Sequence, residues 1–437
     1  MMNNIVKPSI LPGFMELLPK EQIEFNRIKD IIKETYEMYG FIPVDTPLIE
    51  KSEILLAKGG GETEKQIYRF TKGDTDMSLR FDLTVPLARY VALHSENLNF
   101  PFRRYHIGKV YRGERNQRGR FREFYQCDID IIGNGELSII NDAEIPSIIY
   151  SIFKKLDFGP FTIRINNRKI LNGFFNQVTK SDKGAILRTI DKLDKIGETK
   201  VKEELKEIGA YDAEIERILD FISIKGSNDE VLGSLKNLNI ENEEFIKGLE
   251  ELSLVVHYIK GFNVPEDNFK IDLTIARGLD YYTGTIYETT LNEYPGIGSV
   301  CSGGRYDNLA EYYTKAKLPG VGISIGLTRL FYQLTEAGFI KEGKSSTTSK
   351  VLIIPMGDVM EYSIDTAGRL RENNISCEIY FEEAKAKKKF SYGDKLGLEY
   401  AIIIGEEEKE NKVVSLKNLK TGDQVKLSIE QVISKLR

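Results

Sequence analysis

An arginine-rich segment, Arg112 to Asp130 (RGERNQRGRFREFYQCDID), combines cations, aromatic rings, amides and carboxylates. Residues 102–125 hold eight Arg or Lys and only two Glu. The spacing predicts a strand over 121–132, whose side chains alternate between two faces. One face then carries Arg122, Phe124, Gln126, Asp128 and Asp130, and the other carries Cys127, Ile129 and Ile131. Such a face can hold a polyphosphate, stack a base and bind nitrogens of a small polar molecule. The alternative is a solvated antiparallel edge with surface ion pairs.

Two more peptides carry side chains that could bind a small molecule. Leu79–Pro86 alternates and sets Asp82 and Thr84 on one face, where they could bind an ammonium group. A surface strand is the alternative. The stretch from Ile271 to Gly284 predicts a strand that ends near Arg277 and directs it into a cleft. A tyrosine-rich turn packed on the core is the alternative there.

A glycine-rich stretch, residues 320–326, predicts a strand that another backbone or a ligand can approach closely. Arg329 follows in the first turn of the next helix, from which its guanidinium could reach a phosphate. The stretch is not a GxGxxG fingerprint after a first strand, and the chain contains no GxxxxGK[ST] pattern. Dinucleotide-binding and P-loop interpretations are therefore excluded.

Composition narrows the class of protein. The chain has 437 residues, of which 41% are hydrophobic and 29% charged, as in a globular enzyme of two or three domains. No apolar run reaches about 18 residues and the start lacks a secretory apolar region, so we expect no membrane span and a cytoplasmic location. Three Cys, three His and no HExxH pattern argue against a zinc site. A net charge of −5 leaves room only for a local basic surface.

Changes in amino-acid composition and patterning along the chain predict five segments. A catalytic core occupies 1–159 and resumes at 266–338, and a Lys-, Glu-, Ile- and Leu-rich helical insertion occupies 160–265. A Gly- and Ser-containing linker spans 339–350, and a small α/β domain spans 351–437. Within that last domain, a cluster formed by Lys385, Lys387, Lys388 and Lys389 could meet RNA phosphates or form a solvated helix face.

In their order and types these peptides resemble the three signature motifs of class II aminoacyl-tRNA synthetases. Ala276–Gly284 (ARGLDYYTG) and Gly303–Asp307 (GGRYD) resemble the two signature peptides of histidyl-tRNA synthetases. The resemblance covers nearly the whole chain and implies an α+β fold. Its core would be a mainly antiparallel sheet flanked by helices, with a helical insertion and a C-terminal anticodon-binding α/β domain. Two departures are Gly13–Glu16 in place of Gly-Thr-Arg-Asp, and Thr328 where Glu is usual.

The resemblance implies a role for each matching residue. Asp82, Thr84 and Gln126 would bind the α-amino group of histidine or its surroundings. Asp130 and Tyr282, with Tyr281 nearby, would shape the imidazole pocket. The ATP-binding residues would be Arg112, Glu114, Arg120, Phe124 and Arg329, with Phe124 stacked on adenine. Arg277 would bind histidine and stabilise the reacting α-phosphorus, and Arg112 would hold the α-phosphate and the substrate carboxylate.

The resemblance also implies the substrates and partners. They are L-histidine, ATP with Mg²⁺, and tRNA(His), with a homodimer formed through the helix before Pro47 and no protein-bound zinc. The alternatives are the synthetase-like regulatory subunit of ATP phosphoribosyltransferase, a paralogue of the synthetases, and a class II synthetase for another amino acid. Residues 350–437 argue against the first, because that paralogue lacks the C-terminal domain, and the Arg277 peptide argues against the second.

Overall fold

Two units make up the chain in the computed structural model. The model describes residues 6–57, 62–114, 119–190, 192–275, 282–308, 310–340 and 345–437. One unit consists of Met1–Met15 and Ile28–Ile340, and the other of Glu16–Arg27 and Lys341–Arg437. Within the described residues, no helix has both the length and the apolar character needed to cross a membrane.

The first unit contains eleven strands among its described residues. They are β1 (Ile42–Pro43), β2 (Ile49–Lys51), β3 (Arg69–Lys72), β4 (Thr75–Leu79), β5 (Phe102–Tyr111), β6 (Glu123–Ile132), β7 (Phe161–Asn167), β8 (Phe269–Ile271), β9 (Thr285–Leu291), β10 (Ser299–Tyr306) and β11 (Gly320–Gly326). The order β1-β5-β6-β11-β10-β9-β7-β8 forms one eight-stranded sheet, which is antiparallel except where β1 joins β5 and β8 joins β7. β2, β4 and β3 form a small second sheet. The expected α+β fold with a mainly antiparallel core sheet is confirmed.

The helices of this unit pack their apolar faces on the large sheet or on one another. They are α1 (Pro19–Met38, from Ile28 onward), α2 (Ser52–Leu55), α3 (Glu62–Gln66), α4 (Thr84–His94), α5 (Ile140–Leu156), α6 (Arg168–Val178), α7 (Lys183–Ile190), α8 (Leu193–Glu207), α9 (Asp212–Ser223), α10 (Asn228–Asn237), α11 (Glu243–Gly261) and α12 (Leu327–Glu336). In α12, Leu327, Leu330 and Leu334 are buried at helical spacing. In α1, the Tyr36 hydroxyl donates to the Cys127 carbonyl of β6 at 2.9 Å.

The helical insertion starts later than the sequence predicts. Its helices run from Arg168 to Gly261, because Phe161–Asn167 is strand β7, which pairs with both β8 and β9 in the large sheet. The predicted boundary at residue 160 is therefore wrong by one strand. The alternation of Phe161, Ile163 and Ile165, all buried, was the signal for that strand.

The predicted strand over Leu79–Pro86 is also wrong in its second half. β4 ends at Leu79, and α4 begins at Thr84. The Asp82 carboxylate accepts a hydrogen bond from the Val85 backbone N–H at 3.0 Å, which satisfies an otherwise unpaired donor of the first helical turn. Asp82 and Thr84 are therefore held by a helix start. Similarly, β8 ends at Ile271, earlier than the predicted strand before Arg277.

The second unit is a small α/β domain from Ser345 onward. Its elements are β12 (Val351–Met356), α13 (Met360–Glu372), β13 (Cys377–Ile379), α14 (Ala386–Leu396), β14 (Tyr400–Gly405), α15 (Glu406–Glu410), β15 (Val414–Asn418), β16 (Gln424–Leu427) and α16 (Ile429–Leu436). β12 pairs in parallel with β13 and β14, and β15 and β16 add antiparallel strands. Helix α16 was not predicted from the sequence, although Ser428 and Gln431 form the reciprocal bonds of a capping box.

Two expectations for this unit are corrected by its hydrogen bonds. Lys389 is buried and donates to the Pro355 carbonyl at 2.7 Å, so it cannot join the other three lysines on a surface. In the predicted flexible linker, Ser345 donates to the Leu396 carbonyl at 3.0 Å, so that part of the linker is tied to the domain that follows it.

We predict that Gly303→Ala destabilises the first unit. A Cβ at residue 303 would lie 2.1 Å from the Gly322 carbonyl oxygen, a contact that only a backbone shift in β10 or β11 could relieve. We expect a loss of about 1–3 kcal/mol, measured as an earlier thermal unfolding transition. Gly296→Ala is the control, since no atom lies within 4 Å of its Cβ position. Equal transitions for the two variants would contradict the prediction.

Candidate active site

A single face of β6 carries the polar side chains that the sequence grouped together. Gln126, Asp128 and Asp130 alternate with Cys127, Ile129 and Ile131, which are completely buried on the opposite face. β11 runs beside β6, so that Ser324 is the partner of Asp128 and Gly322 the partner of Asp130. A Cβ at residue 322 would lie 2.3 Å from Asp130 Oδ1, so glycine at this position makes room for the carboxylate.

The large sheet bounds a cavity of about 950 Å³ above this face. Ten of the predicted site residues line it: Asp82, Thr84, Arg112, Glu114, Arg120, Phe124, Gln126, Asp130, Tyr282 and Arg329. The other two, Arg277 and Tyr281, lie outside the described residues. Peptides more than 200 residues apart in the chain therefore meet in one cavity. The solvated-edge alternative for the β6 face is excluded, because Asp128 and Asp130 are buried.

One buried guanidinium compensates the carboxylates in the cavity wall. Arg104, on β5, is fully buried, and its Nη2 lies 2.6 Å from Asp130 Oδ2. The Tyr306 hydroxyl donates to Asp130 Oδ1 at 2.7 Å. Burial nevertheless raises the pKa of Asp130 to about 6, against the opposing effects of Arg104 and Tyr306. Both oxygens of Asp130 are thus engaged by groups of the protein.

Asp82 and Asp128 lie in the same electrostatic environment. Burial raises the pKa of Asp128 to about 7, opposed by Arg104 and by a hydrogen bond from Ser324 and reinforced by Asp130 and Asp82. Burial also raises the pKa of Asp82, opposed by the Val85 N–H and by Arg112. Three carboxylates that share one buried guanidinium create a region of negative potential, which favours a ligand with N–H groups or positive charge.

The other part of the cavity carries arginines and an aromatic ring. The Arg112 guanidinium carbon lies 4.4 Å from the ring centroid of Phe81 and 5.1 Å from that of Phe124. Arg120 Nη1 lies 3.3 Å from Glu114 Oε2, at the edge of the loop between β5 and β6. In the first turn of α12, Arg329 donates to the Ile297 carbonyl at 2.9 Å. Phe124 lies six residues before Asp130, which is about 20 Å along a strand.

Several residues that line the cavity or support its wall were not among the predicted site residues. Arg104 and Tyr306 hold Asp130, and Ser324 accepts a hydrogen bond from Gln126 Nε2 at 2.8 Å. Arg188 and Lys192 bring the insertion to the cavity lining. The two-residue alternation of side chains along β5 was the sequence signal that could have placed Arg104 on one face of that strand. Nothing in the sequence pairs β5 with β6 in the register that sets Arg104 beside Asp130.

One of the two departures from the family pattern has a structural role. Thr328 Oγ1 accepts a hydrogen bond from the Tyr125 backbone N–H at 2.8 Å, so it joins the start of α12 to β6. In the other segment, Gly13 is the residue shared with the pattern, and its carbonyl accepts a bond from the Arg122 backbone N–H at 2.7 Å. Both positions therefore support the strand that carries the site.

The arrangement of the cavity indicates its chemistry. Carboxylates and an amide at one part can bind amine and ring nitrogens, while arginines at the other can hold a polyanion. Among the described residues, no group of three or more His, Cys, Asp or Glu side chains is placed to hold a metal ion.

Comparisons with known proteins match the whole chain. The family model described as "Histidyl-tRNA synthetase" matches residues 13–330, and that described as "Anticodon binding domain" matches residues 350–437. A protein of Clostridium tetani named "Histidine--tRNA ligase" is 69% identical over 99% of both chains. One of the same name from Clostridium acetobutylicum is 52% identical over 99% of this chain and 100% of its own. The crystal structure of histidyl-tRNA synthetase from Nostoc sp. PCC 7120 superposes with a TM-score of 0.93, at 41% identity over 99% of both chains.

We predict that Asp128→Asn changes how stability depends on pH. The folded pKa of Asp128 is about 7 and the ordinary value is 3.8, so the folded state holds the extra proton between them and stability falls as pH rises through this window. The slope for one group is at most about 1.4 kcal/mol per pH unit. His106 acts in the opposite sense, because its folded pKa is lowered to about 3 from 6.5.

The variant isolates the contribution of Asp128, since His106 is unchanged. The thermal transition of Asp128→Asn should rise relative to that of the wild type as pH increases from 5 to 7, in the absence of ligands. A constant difference between the two proteins across this range would contradict the raised pKa of Asp128.

Proposed function

The chain belongs to the histidyl-tRNA synthetase family, and on this premise we propose the roles of the individual residues in its cavity. The reaction is the ATP-dependent ligation of L-histidine to its cognate tRNA. It proceeds through histidyl-adenylate and releases pyrophosphate and AMP. The observation that carries the assignment of roles is the cavity itself, which has buried carboxylates at one part and arginines at the other.

We propose that histidine binds along the carboxylate part of the cavity. Asp82, Thr84 and Gln126 bind the α-ammonium group, and Asp130 with Tyr282 shapes the imidazole pocket, with Tyr281 nearby. The negative potential created by Asp82 and its neighbours supports this orientation, because an ammonium group is favoured there. A site built to hydrogen-bond a polar ring also rejects isosteric apolar side chains, by roughly 10⁴-fold in known cases.

ATP binds along the arginine part in this proposal. Phe124 stacks on adenine, Glu114 lies near the base, and Arg120 and Arg329 hold the outer phosphates. Arg112 holds the α-phosphate and the histidine carboxylate. Its position between the rings of Phe81 and Phe124 supports this role, because the two contacts fix the guanidinium in one orientation.

Adenylate formation requires alignment and charge stabilisation. The histidine carboxylate attacks the α-phosphorus, and negative charge develops on the phosphoryl oxygens. No proton has to be removed from the attacking carboxylate. Arginines remain charged throughout, which suits Arg112 and Arg277 to the stabilisation of the pentavalent phosphorus. Arg277 lies outside the described residues, and the resemblance of its peptide to the family signature supports its role.

ATP is expected to arrive with Mg²⁺, whose chemistry is to neutralise charge on the phosphates. Mg²⁺ in such sites needs one or two carboxylates besides phosphate and water oxygens. Glu288 lines the cavity and would supply such a carboxylate.

The partners follow from the remaining parts of the chain. The unit from Lys350 to Arg437 would bind the anticodon region of tRNA(His), with Lys385, Lys387 and Lys388 available for phosphates. The helical insertion, whose helices run from Arg168 to Gly261, would contact the tRNA, which Arg188 and Lys192 at the cavity support. We further propose a homodimer formed through α1 and a cytoplasmic location, where tRNA is charged.

The proposed function is tested by amino-acid-dependent exchange of pyrophosphate into ATP. The purified protein should support exchange with L-histidine and at least about 10³-fold less with other amino acids at the same concentration, because the pocket's polar groups would stay unpaired with them. Charging of tRNA(His) with labelled histidine should follow in the same preparation. Robust exchange with a different amino acid would overturn the specificity.

We predict that Arg277→Ala slows adenylate formation far more than it weakens histidine binding. Loss of one cation that acts in the transition state should lower the exchange rate by roughly 10²–10³-fold, with little change in the KM for histidine. Arg277→Lys, which keeps the charge and loses the forked donor, should retain an intermediate rate. An equal loss of rate and of histidine affinity would reduce Arg277 to a binding residue.

A further inference from the structure

Asp128 is a cavity-lining carboxylate to which neither the family resemblance nor the proposed roles give a function. It lies on β6 between Gln126 and Asp130, about 7 Å along the strand from each. Its residue surface is 2% exposed, yet it lines the cavity. A buried carboxylate at a ligand cavity is costly unless something compensates its charge.

The hydrogen bonds around Asp128 leave one of its oxygens open. Ser324 Oγ accepts from Gln126 Nε2 at 2.8 Å and also hydrogen-bonds the Asp128 carboxylate. This chain orients both side chains on the cavity face. Within the described residues, Asp128 Oδ1 and Gln126 Oε1 are buried without a hydrogen-bond partner. These two oriented acceptors can therefore accept hydrogen bonds from a ligand that carries N–H or O–H donors.

The charges that face Asp128 support a ligand that donates N–H groups. From β5, Arg104 attracts it, while His106, directly across the strand pair, stays neutral above its lowered pKa. Asp82 and Asp130 repel it from the helix start and from its own strand. Arg104 is already bonded to Asp130 at 2.6 Å. The groups of the protein alone therefore do not fully compensate the negative charge of Asp128.

A count of donors and acceptors assigns the open oxygen to one part of the substrate. The α-ammonium of histidine has three N–H donors, which Asp82, Thr84 and Gln126 Oε1 can accept. Asp130 has both oxygens engaged by Arg104 and Tyr306. Among the described residues of β6, Asp128 Oδ1 is the buried acceptor still without a donor once Gln126 Oε1 is assigned to the ammonium group, and the imidazole ring is the part of histidine with an N–H still to place.

We propose that Asp128 is a specificity-determining residue that accepts a hydrogen bond from an imidazole N–H of bound histidine. The inference rests on the histidine site proposed above and adds to it the acceptor for the ring. Ser324 holds Asp128 in place, so the carboxylate meets the ring in a fixed orientation. Side chains without a ring N–H leave Asp128 Oδ1 buried and unpaired, which disfavours them.

The experiment compares Asp128→Asn and Asp128→Ala with wild type in histidine-dependent exchange at saturating ATP. A hydrogen bond to a charged group is worth a factor of roughly 10–100, so the KM for histidine should rise by that amount in the Ala variant and less in the Asn variant, which keeps an oxygen. The KM for ATP should change by less than about two-fold in both variants. Asp267→Asn, an exposed aspartate, is the control, and thermal unfolding identifies any variant that fails to fold.

An inhibitor separates the ring from the ammonium group. Imidazolepropionic acid has the ring and the carboxylate of histidine and lacks the amine. If Asp128 contacts the ring, its inhibition constant should rise in the variants by about the same factor as the KM for histidine. If the factor disappears with this inhibitor, Asp128 binds the ammonium and the proposal is wrong.

The proposed role of Asp128 can fail while the proposed histidine-dependent activity stands. Wild-type exchange that depends on histidine establishes the activity by itself. Folded Asp128 variants with an unchanged KM for histidine would overturn the role of Asp128 and leave that activity standing. The Asn variant is nearly isosteric, so it provides the decisive comparison even if the Ala variant does not fold.

Discussion

The buried ion pair between Arg104 and Asp130 is the interaction on which the cavity depends. Arg104 is fully buried in β5, and removal of either partner would leave an uncompensated charge in the centre of the sheet. The same guanidinium opposes the protonation of Asp128 and lowers the pKa of Asp82 relative to burial alone. Arg104 therefore partly stabilises the charged forms of these carboxylates, and a bound ligand with N–H groups or positive charge can stabilise them further.

The two parts of the cavity use charge in different ways. Burial raises the pKa of Asp130 to about 6 and that of Asp128 to about 7, so a bound N–H donor or cation would favour the charged form of each carboxyl. The arginines near Phe124 do not titrate and present the same charge in every state. With the roles proposed above, the carboxylates on the histidine side of the cavity titrate, while the arginines on the phosphate side keep their charge.

The face of β6 was predictable from sequence because it depends on local alternation. Phe124, Gln126 and Asp130 share a face in any extended strand, whatever its neighbours. Asp82 was assigned to a strand, and only the bond from the Val85 N–H, a contact of a helix start, reveals its true setting. Arg104 could not be predicted, because its partner depends on the register of two strands joined by a long loop. Long-range pairing is thus the part of this site that local patterns leave undetermined.

Strand β7 shows why the insertion boundary was misplaced, and what the insertion can do. The strand enters the large sheet and leads directly into α6, so the helices that follow start from the sheet that bears the site. Arg168, the first residue of α6, lines the cavity, as do Arg188 and Lys192 further along the insertion. The insertion is joined to the large sheet by β7 at one end and by the edge strand β8 at the other. Its basic side chains at the cavity suit it to the proposed contact with a polyanionic substrate, a role that requires no reacting group from the insertion.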